Sequence, residues 1–107
     1  MQRVPIIAVA EYVRSKNAGP FRLTFDIMFR DRETYEQVKR VQGITLEMVA
    51  SLYRVPVTDI TNFVYFDPGK AVKITMRRTV SSGAPGDNDV YGAQQHAPLL
   101  DIVLVLT

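Results

Sequence analysis

Residues 21–30 constrain this chain more tightly than any other stretch. Phe21, Leu23, Phe25, Ile27 and Phe29 alternate with Arg22, Thr24, Asp26, Met28 and Arg30. Side chains of an extended backbone point to opposite faces with a period of two, whereas a helix would scatter these apolar groups around its circumference. The segment therefore reads as a strand with one buried face and one wet face. Such a strand needs neighbours along its edges and a cover over its apolar side, and the rest of the chain must supply both.

The cover follows directly. Asp31 is placed to cap a helix, because its carboxylate can accept from free amides of a first turn. Tyr35, Val38 and Val41 then recur at helical spacing, and Gly43 is expected to end that helix in a left-handed conformation. Thr45 reads as a second cap, followed by an apolar stripe of Met48, Val49, Leu52 and Tyr53 that stops before Pro56. The neighbours are expected as strands at Ile6–Val13, Asp59–Phe66, Ala71–Val80 and Leu99–Leu106. Asp67-Pro68-Gly69-Lys70 reads as a turn, since proline presets φ and glycine accepts positive φ. The last strand is nearly all apolar, as in a strand buried on both faces near the centre of a sheet.

The expected order is β–β–α–α–β–β–loop–β. It implies an α+β fold with a single mixed or antiparallel sheet and two short helices packed on one face, ferredoxin-like in the broad sense. The 107 residues suffice for one hydrophobic core and are read as a single domain, 1–107.

Composition narrows the function classes. The net charge is only +2 and the basic residues are scattered rather than gathered into a stripe that would track phosphates, so nucleic acid is not expected as a partner. The chain has no cysteine, which excludes disulfides, thiolate metal sites and cysteine nucleophiles. With a single histidine, only an oxygen-rich magnesium or calcium site is feasible. Asp87-Asn88-Asp89 has the opening ligands of a calcium loop but lacks the later spacing and the terminal glutamate, so neither a metal nor a cofactor is expected. Phosphate-binding GK[ST], dinucleotide GxGxxG, hydrolase GxSxG and zinc HExxH motifs are all missing. Ile102–Leu106 is far too short to span a bilayer, and the N-terminal apolar run is broken by Glu11 and Arg14. The expectation is a soluble, cytoplasmic protein that is not membrane-bound.

Two polar segments stand out. "RSKNAGP" concentrates Arg14, Ser15, Lys16 and Asn17 in what reads as a loop ahead of Gly19 and Pro20. Arginine can grip a carboxylate or phosphate through two parallel hydrogen bonds, and lysine adds a point charge. The plain alternative is a polar turn that merely reverses the chain. The other segment, "SSGAPGDNDVYGAQQHAP" at 81–98, exceeds the length at which connections inside compact domains are usually featureless. It combines apolar Val90 and Ala93 with Asp87, Asp89, Tyr91, Gln94, Gln95 and His96. There His96, with Asp87 and Asp89, is the candidate catalytic set, because histidine titrates near neutrality. Tyr91, Gln94 and Gln95 join Arg14, Ser15, Lys16 and Asn17 as candidate substrate-binding residues. The alternative for His96 is a hydrogen-bonded structural histidine.

"VRSKNAGPFRLTFDIMF", "ITNFVYFDP" and "GAPGDNDVYGAQQHAPLLDI" closely resemble the AtuA-like ferredoxin-fold domain proteins of bacteria, over about residues 6 to 105. Members of that family are typically encoded beside a much larger protein resembling the acyclic terpene utilisation protein AtuA. The larger chains often end in a related small domain with an RSGDKGD-like loop. The correspondence covers Arg14, Ser15 and Gly19, whereas the central acidic-basic pair and final aspartate of that loop are absent here. The resemblance implies a small, non-catalytic or co-catalytic subunit that docks on a large AtuA-like partner and supplies loops to a shared site. Its context would be catabolism of small organic acids or acyl compounds, by hydratase, lyase or isomerase chemistry on an anionic small molecule. Two other readings stand beside it: a stand-alone enzyme with His96 as general acid/base, and an oligomerisation module whose sheet packs on another copy.

Overall fold

The computed structural model describes residues 2–19, 21–77 and 97–106. Over these the chain runs β1 (Gln2–Pro5), α1 (Ile6–Val9), β2 (Ala10–Asn17), β3 (Arg22–Phe29), α2 (Arg32–Val41), α3 (Leu46–Tyr53), β4 (Ile60–Phe66), β5 (Ala71–Arg77) and β6 (Val103–Leu106). Short 3-10 turns occupy Val57–Asp59, Asp67–Gly69 and Ala97–Asp101. The fold is α+β, and no helix among the described residues is long and apolar enough to cross a membrane.

The alternating segment is β3, and its pattern is realised from Leu23 onward: Leu23, Phe25, Ile27 and Phe29 are buried while Arg22 is exposed and Thr24, Asp26 and Met28 are half-buried. Phe21, expected on the buried face, instead precedes the strand in the turn and is 55% exposed. It pairs antiparallel with β2 on one side and β5 on the other, in a four-stranded sheet of order β2-β3-β5-β4. The expected hairpin is β4-β5, reversed through Asp67–Gly69 with Lys70 in the left-handed region at φ 51°.

Both helices begin as their caps dictate. Asp31 Oδ1 accepts from the Thr34 amide at 2.7 Å, and Thr45 Oγ1 accepts from the Met48 amide at 3.1 Å. Tyr35 and Val38 of α2 and Val49 and Ala50 of α3 are buried against the apolar side of the sheet, with Phe25–Tyr53 and Phe29–Tyr35 ring centroids 5.1 and 6.1 Å apart. The left-handed residue ending α2 is Gln42 (φ 55°), not Gly43. Gly43 is required by space instead: a Cβ there would meet Val38 Cγ1 at 3.3 Å and Leu104 Cδ2 at 3.5 Å.

The expectation of one sheet and two helices is corrected in three places. First, the segment expected as a strand from Ile6 opens as the single helical turn α1. Ile6 is fully buried there, and its amide donates to the Ile102 carbonyl at 2.9 Å, so tertiary contact overrides the strand preference of its β-branched residues. Second, the C-terminal strand is not central. It pairs only with β1, in a separate two-stranded antiparallel sheet with Gln2 opposite Leu106 and Pro5 opposite Val103. Its alternation explains this: Leu104 and Leu106 enter the common core, while Val103 and Val105 stay 47% and 44% exposed. Third, "RSKN" is not loop. Arg14–Asn17 is the end of β2, in register with Asp26–Leu23 of β3, and the chain reverses only around Gly19, whose φ of 103° suits glycine.

Candidate functional site

Directly opposed residues of an antiparallel sheet share a face. Reading the register across all four strands therefore sorts the sheet into two surfaces. Val13, Ile27, Val72 and Tyr65 form one row of the inner surface, and Ser15, Phe25, Ile74 and Phe63 the next. The other surface has no helix over it among the described residues. Its rows are Arg14, Asp26, Lys73 and Val64, then Lys16, Thr24, Thr75 and Asn62, with Arg22 opposite Arg77 beyond them.

This open face carries the cationic side chains of Arg14, Lys16, Arg22, Lys73 and Arg77, against the carboxylate of Asp26 among the paired positions. It is thus more cationic than the chain as a whole, whose net charge is +2. Lys73 Nζ lies 3.3 Å from Asp26 Oδ1, a half-exposed ion pair of small energetic weight. The Arg14 guanidinium stacks 3.8 Å from the centre of the Tyr12 ring, and Lys73 Nζ lies 5.1 Å from that of Phe66. Thr24 Oγ1 donates to the Lys16 carbonyl at 3.3 Å, tying β2 to β3 at this level.

A shallow recess on this face is lined by Arg14, Ser15, Lys16, Thr24 and Asp26. An adjoining one is lined by Lys16, Thr24, Asp26, Asn62, Lys73 and Thr75, with Phe25 and Ile74 beneath. Of the residues singled out from sequence, the structure brings Arg14 and Lys16 together, two positions apart on one strand. Ser15 is buried between them and Asn17 alternates to the inner side with Leu23. His96, Asp87, Asp89, Tyr91, Gln94 and Gln95 lie outside the described residues.

Sequence reasoning missed Arg22, Thr24, Asp26, Asn62, Lys73, Arg77 and Thr75 as site residues. The signal was present in part: they are the wet positions of alternating strands. What places them beside Arg14 and Lys16 is the inter-strand register, which has no local sequence code.

A second polar cluster gathers Tyr35, Lys39 and Arg32 around Asp67. Asp67 Oδ1 accepts from the Tyr35 hydroxyl at 2.6 Å and from Lys39 Nζ at 2.9 Å, and the Asp67 carbonyl accepts from Arg32 at 3.0 Å. The Tyr35 and Lys39 bonds hold the Asp67 carboxyl below its usual range, while burial and the same bond push the Tyr35 phenol up. Every group here is matched to another, so the cluster fastens α2 to the β4-β5 turn. Likewise the Tyr65 hydroxyl donates to the Ile44 carbonyl at 2.6 Å and accepts from the Ile44 amide at 3.3 Å, pinning the α2-α3 connection.

Fold and site together define a small α+β domain that buries one face of an antiparallel sheet under two helices and presents the other as a polar, cation-rich surface. The chain belongs to a family described as a domain of unknown function, DUF4387, whose model matches residues 6–103. No curated protein and no solved structure matches it.

Proposed function

We propose that this chain is the small accessory member of an AtuA-like complex acting in the catabolism of small organic acids or acyl compounds, and that Arg14 and Lys16 bind the ligand's anionic group. The observation that carries the reading is the placement of these two cations on one open sheet face, over a recess whose other walls are Thr24 and Asp26. The arginine fork matches a carboxylate, and the lysine adds a mobile charge. Asp26 faces Arg14 across the strands and limits how much anion the recess accepts.

The large partner and the organic-acid context come from the resemblance of the three segments named above. The ferredoxin-like comparison and a cytoplasmic location belong to the same reading. The former rests on the four-stranded antiparallel sheet covered by α2 and α3, the latter on a chain without cysteine.

Co-expression with the product of the adjacent gene tests the proposal. A stable complex is expected, with succinate binding weakened about tenfold by R14Q/K16Q, the loss of two exposed charge contacts. No complex, or succinate binding unchanged in the double variant, refutes it. One observation favours the oligomerisation reading: the exposed Val103 and Val105 on a two-stranded sheet whose outer edges are unpaired among the described residues. Light scattering of the isolated chain decides it, since a stable homo-oligomer lost in V103T/V105T supports that role and a monomer excludes it.

A further inference from the structure

We infer that the anion site continues across the sheet to Arg22 and Arg77, and that its ligand is a small multivalent oxyanion rather than a monocarboxylate. This deepens the anion-binding reading of Arg14 and Lys16 and rests on it.

The two ends of the open face differ in how their charges are balanced. In the row Arg14, Asp26, Lys73 the signs alternate from strand to strand. Lys73 is paired with Asp26 at 3.3 Å, and Arg14 lies against the Tyr12 ring at 3.8 Å. That row is balanced within the sheet. The row of Lys16, Thr24, Thr75 and Asn62 holds no carboxylate, and beyond it Arg22 stands directly opposite Arg77. Like charges directly opposed on neighbouring strands destabilise a sheet. Among the described residues neither arginine makes an ion pair, and neither does Lys16. Among the described residues this end of the face thus holds three cations with no carboxylate paired to them, a cost that a bound anion removes.

The spacing sets the ligand's size. Neighbouring strands lie roughly 4.8 Å apart and same-face positions along a strand roughly 7 Å apart. Lys16, Arg22 and Arg77 therefore rise from neighbouring points of one small grid, with the Thr75 hydroxyl beside them as a donor. A single carboxylate engages one guanidinium fork, whereas a ligand with two or three oxyanion groups spans the cluster. The recess at Arg14 and the one beneath Asn62 and Thr75 share Lys16, Thr24 and Asp26, so the surface is continuous between them. The open-face aromatics argue against single-stranded nucleic acid. The Tyr12 ring is covered by Arg14, and Phe66, 40% exposed with Lys73 Nζ 5.1 Å from its ring centre, is a single ring rather than the run of stacking platforms that successive bases need.

The test is titration of the whole ¹⁵N-labelled chain at low salt with acetate, citrate and pyrophosphate, in wild type, R22Q/R77Q and R14Q/K16Q. Citrate or pyrophosphate is expected to bind at least about tenfold tighter than acetate, shifting amides at Lys16, Arg22, Thr24, Thr75 and Arg77. In R22Q/R77Q that preference falls to the acetate level while Tm rises, because the opposed charges are gone. A merely structural role would lower Tm instead. Whichever of citrate and pyrophosphate binds tighter assigns a carboxylate or a phosphate ligand. Multivalent anions bound as tightly by R22Q/R77Q as by wild type overturn the inference and leave the Arg14–Lys16 site standing. Unchanged binding of all three anions by R14Q/K16Q overturns the Arg14–Lys16 site together with the inference that extends it, and so does a chain that binds none of the anions.

Discussion

Replacing Tyr65 by phenylalanine isolates the hydrogen bonds that hold the connection between α2 and α3. The hydroxyl donates to the Ile44 carbonyl at 2.6 Å and accepts from the Ile44 amide at 3.3 Å, and Ile44 is fully buried. The ring contacts are retained in the variant, since Tyr65 packs through its ring on Tyr35 at 6.2 Å and on Phe63 at 5.8 Å. The loss is therefore of bonding, not of volume. Leaving a buried backbone group without its partner costs about 1–3 kcal/mol, more than the net value of the bond itself. For a domain of this size roughly 4 °C of Tm corresponds to each kcal/mol, so Y65F should melt roughly 4–12 °C lower. Urea unfolding followed by circular dichroism gives the free energy, and hydrogen exchange at the Ile44 amide reports the local effect. A Tm within about 1 °C of wild type, with Ile44 exchange unchanged, would show that water replaces the hydroxyl and would refute the reasoning.

Three further outcomes are expected. Tyr35, Tyr53 and Tyr65 all have phenols pushed up, each chiefly by burial. Their contribution is complete below the unfolded tyrosine value near 10 and is lost as pH rises toward the folded values, so these three should ionise together with unfolding in an alkaline absorbance titration; ionisation while the fold persists contradicts this. Asp31 and Asp67 are lowered, Asp31 mainly by the Thr34 amide and Asp67 mainly by the Tyr35 hydroxyl. Their stabilisation is present above the unfolded carboxyl value and lost as pH falls through the folded ones, so D67N should flatten the acid side of the Tm profile, and an unchanged profile would exclude the Asp67 contact as a contributor. Finally, Gly19 has φ 103°, and a Cβ added there would meet nothing within 4 Å, so G19A should cost about 1–2 kcal/mol by backbone conformation alone. A neutral G19A in thermal melts would show that the turn readjusts.

Much of the fold is legible in local patterns because those patterns act locally. The alternation in β3 identified its buried residues, and the caps at Asp31 and Thr45 located both helices, since a cap needs only the amides of its own first turn. The site was legible in composition but not in geometry. Arg14 and Lys16 were recognisable as anion-binding side chains, yet their segment read as loop. Whether polar residues before a glycine extend a strand depends on a neighbour being in register, here Asp26–Leu23.

The amino-acid sequence by itself thus determined the α+β class, the inward side of the central strand and the points where helices start. Tertiary structure alone decided which strands are neighbours. It paired β6 with β1 in a separate sheet although its apolar run reads as central, because Ile6 and Ile102 meet and Leu104 packs beside α2. It also set Arg22 opposite Arg77, residues whose charge is plain in the sequence and whose juxtaposition is not. Periodicity is a property of a few consecutive residues, whereas register is chosen by packing across the whole core. The cation-rich face exists only once that choice is made.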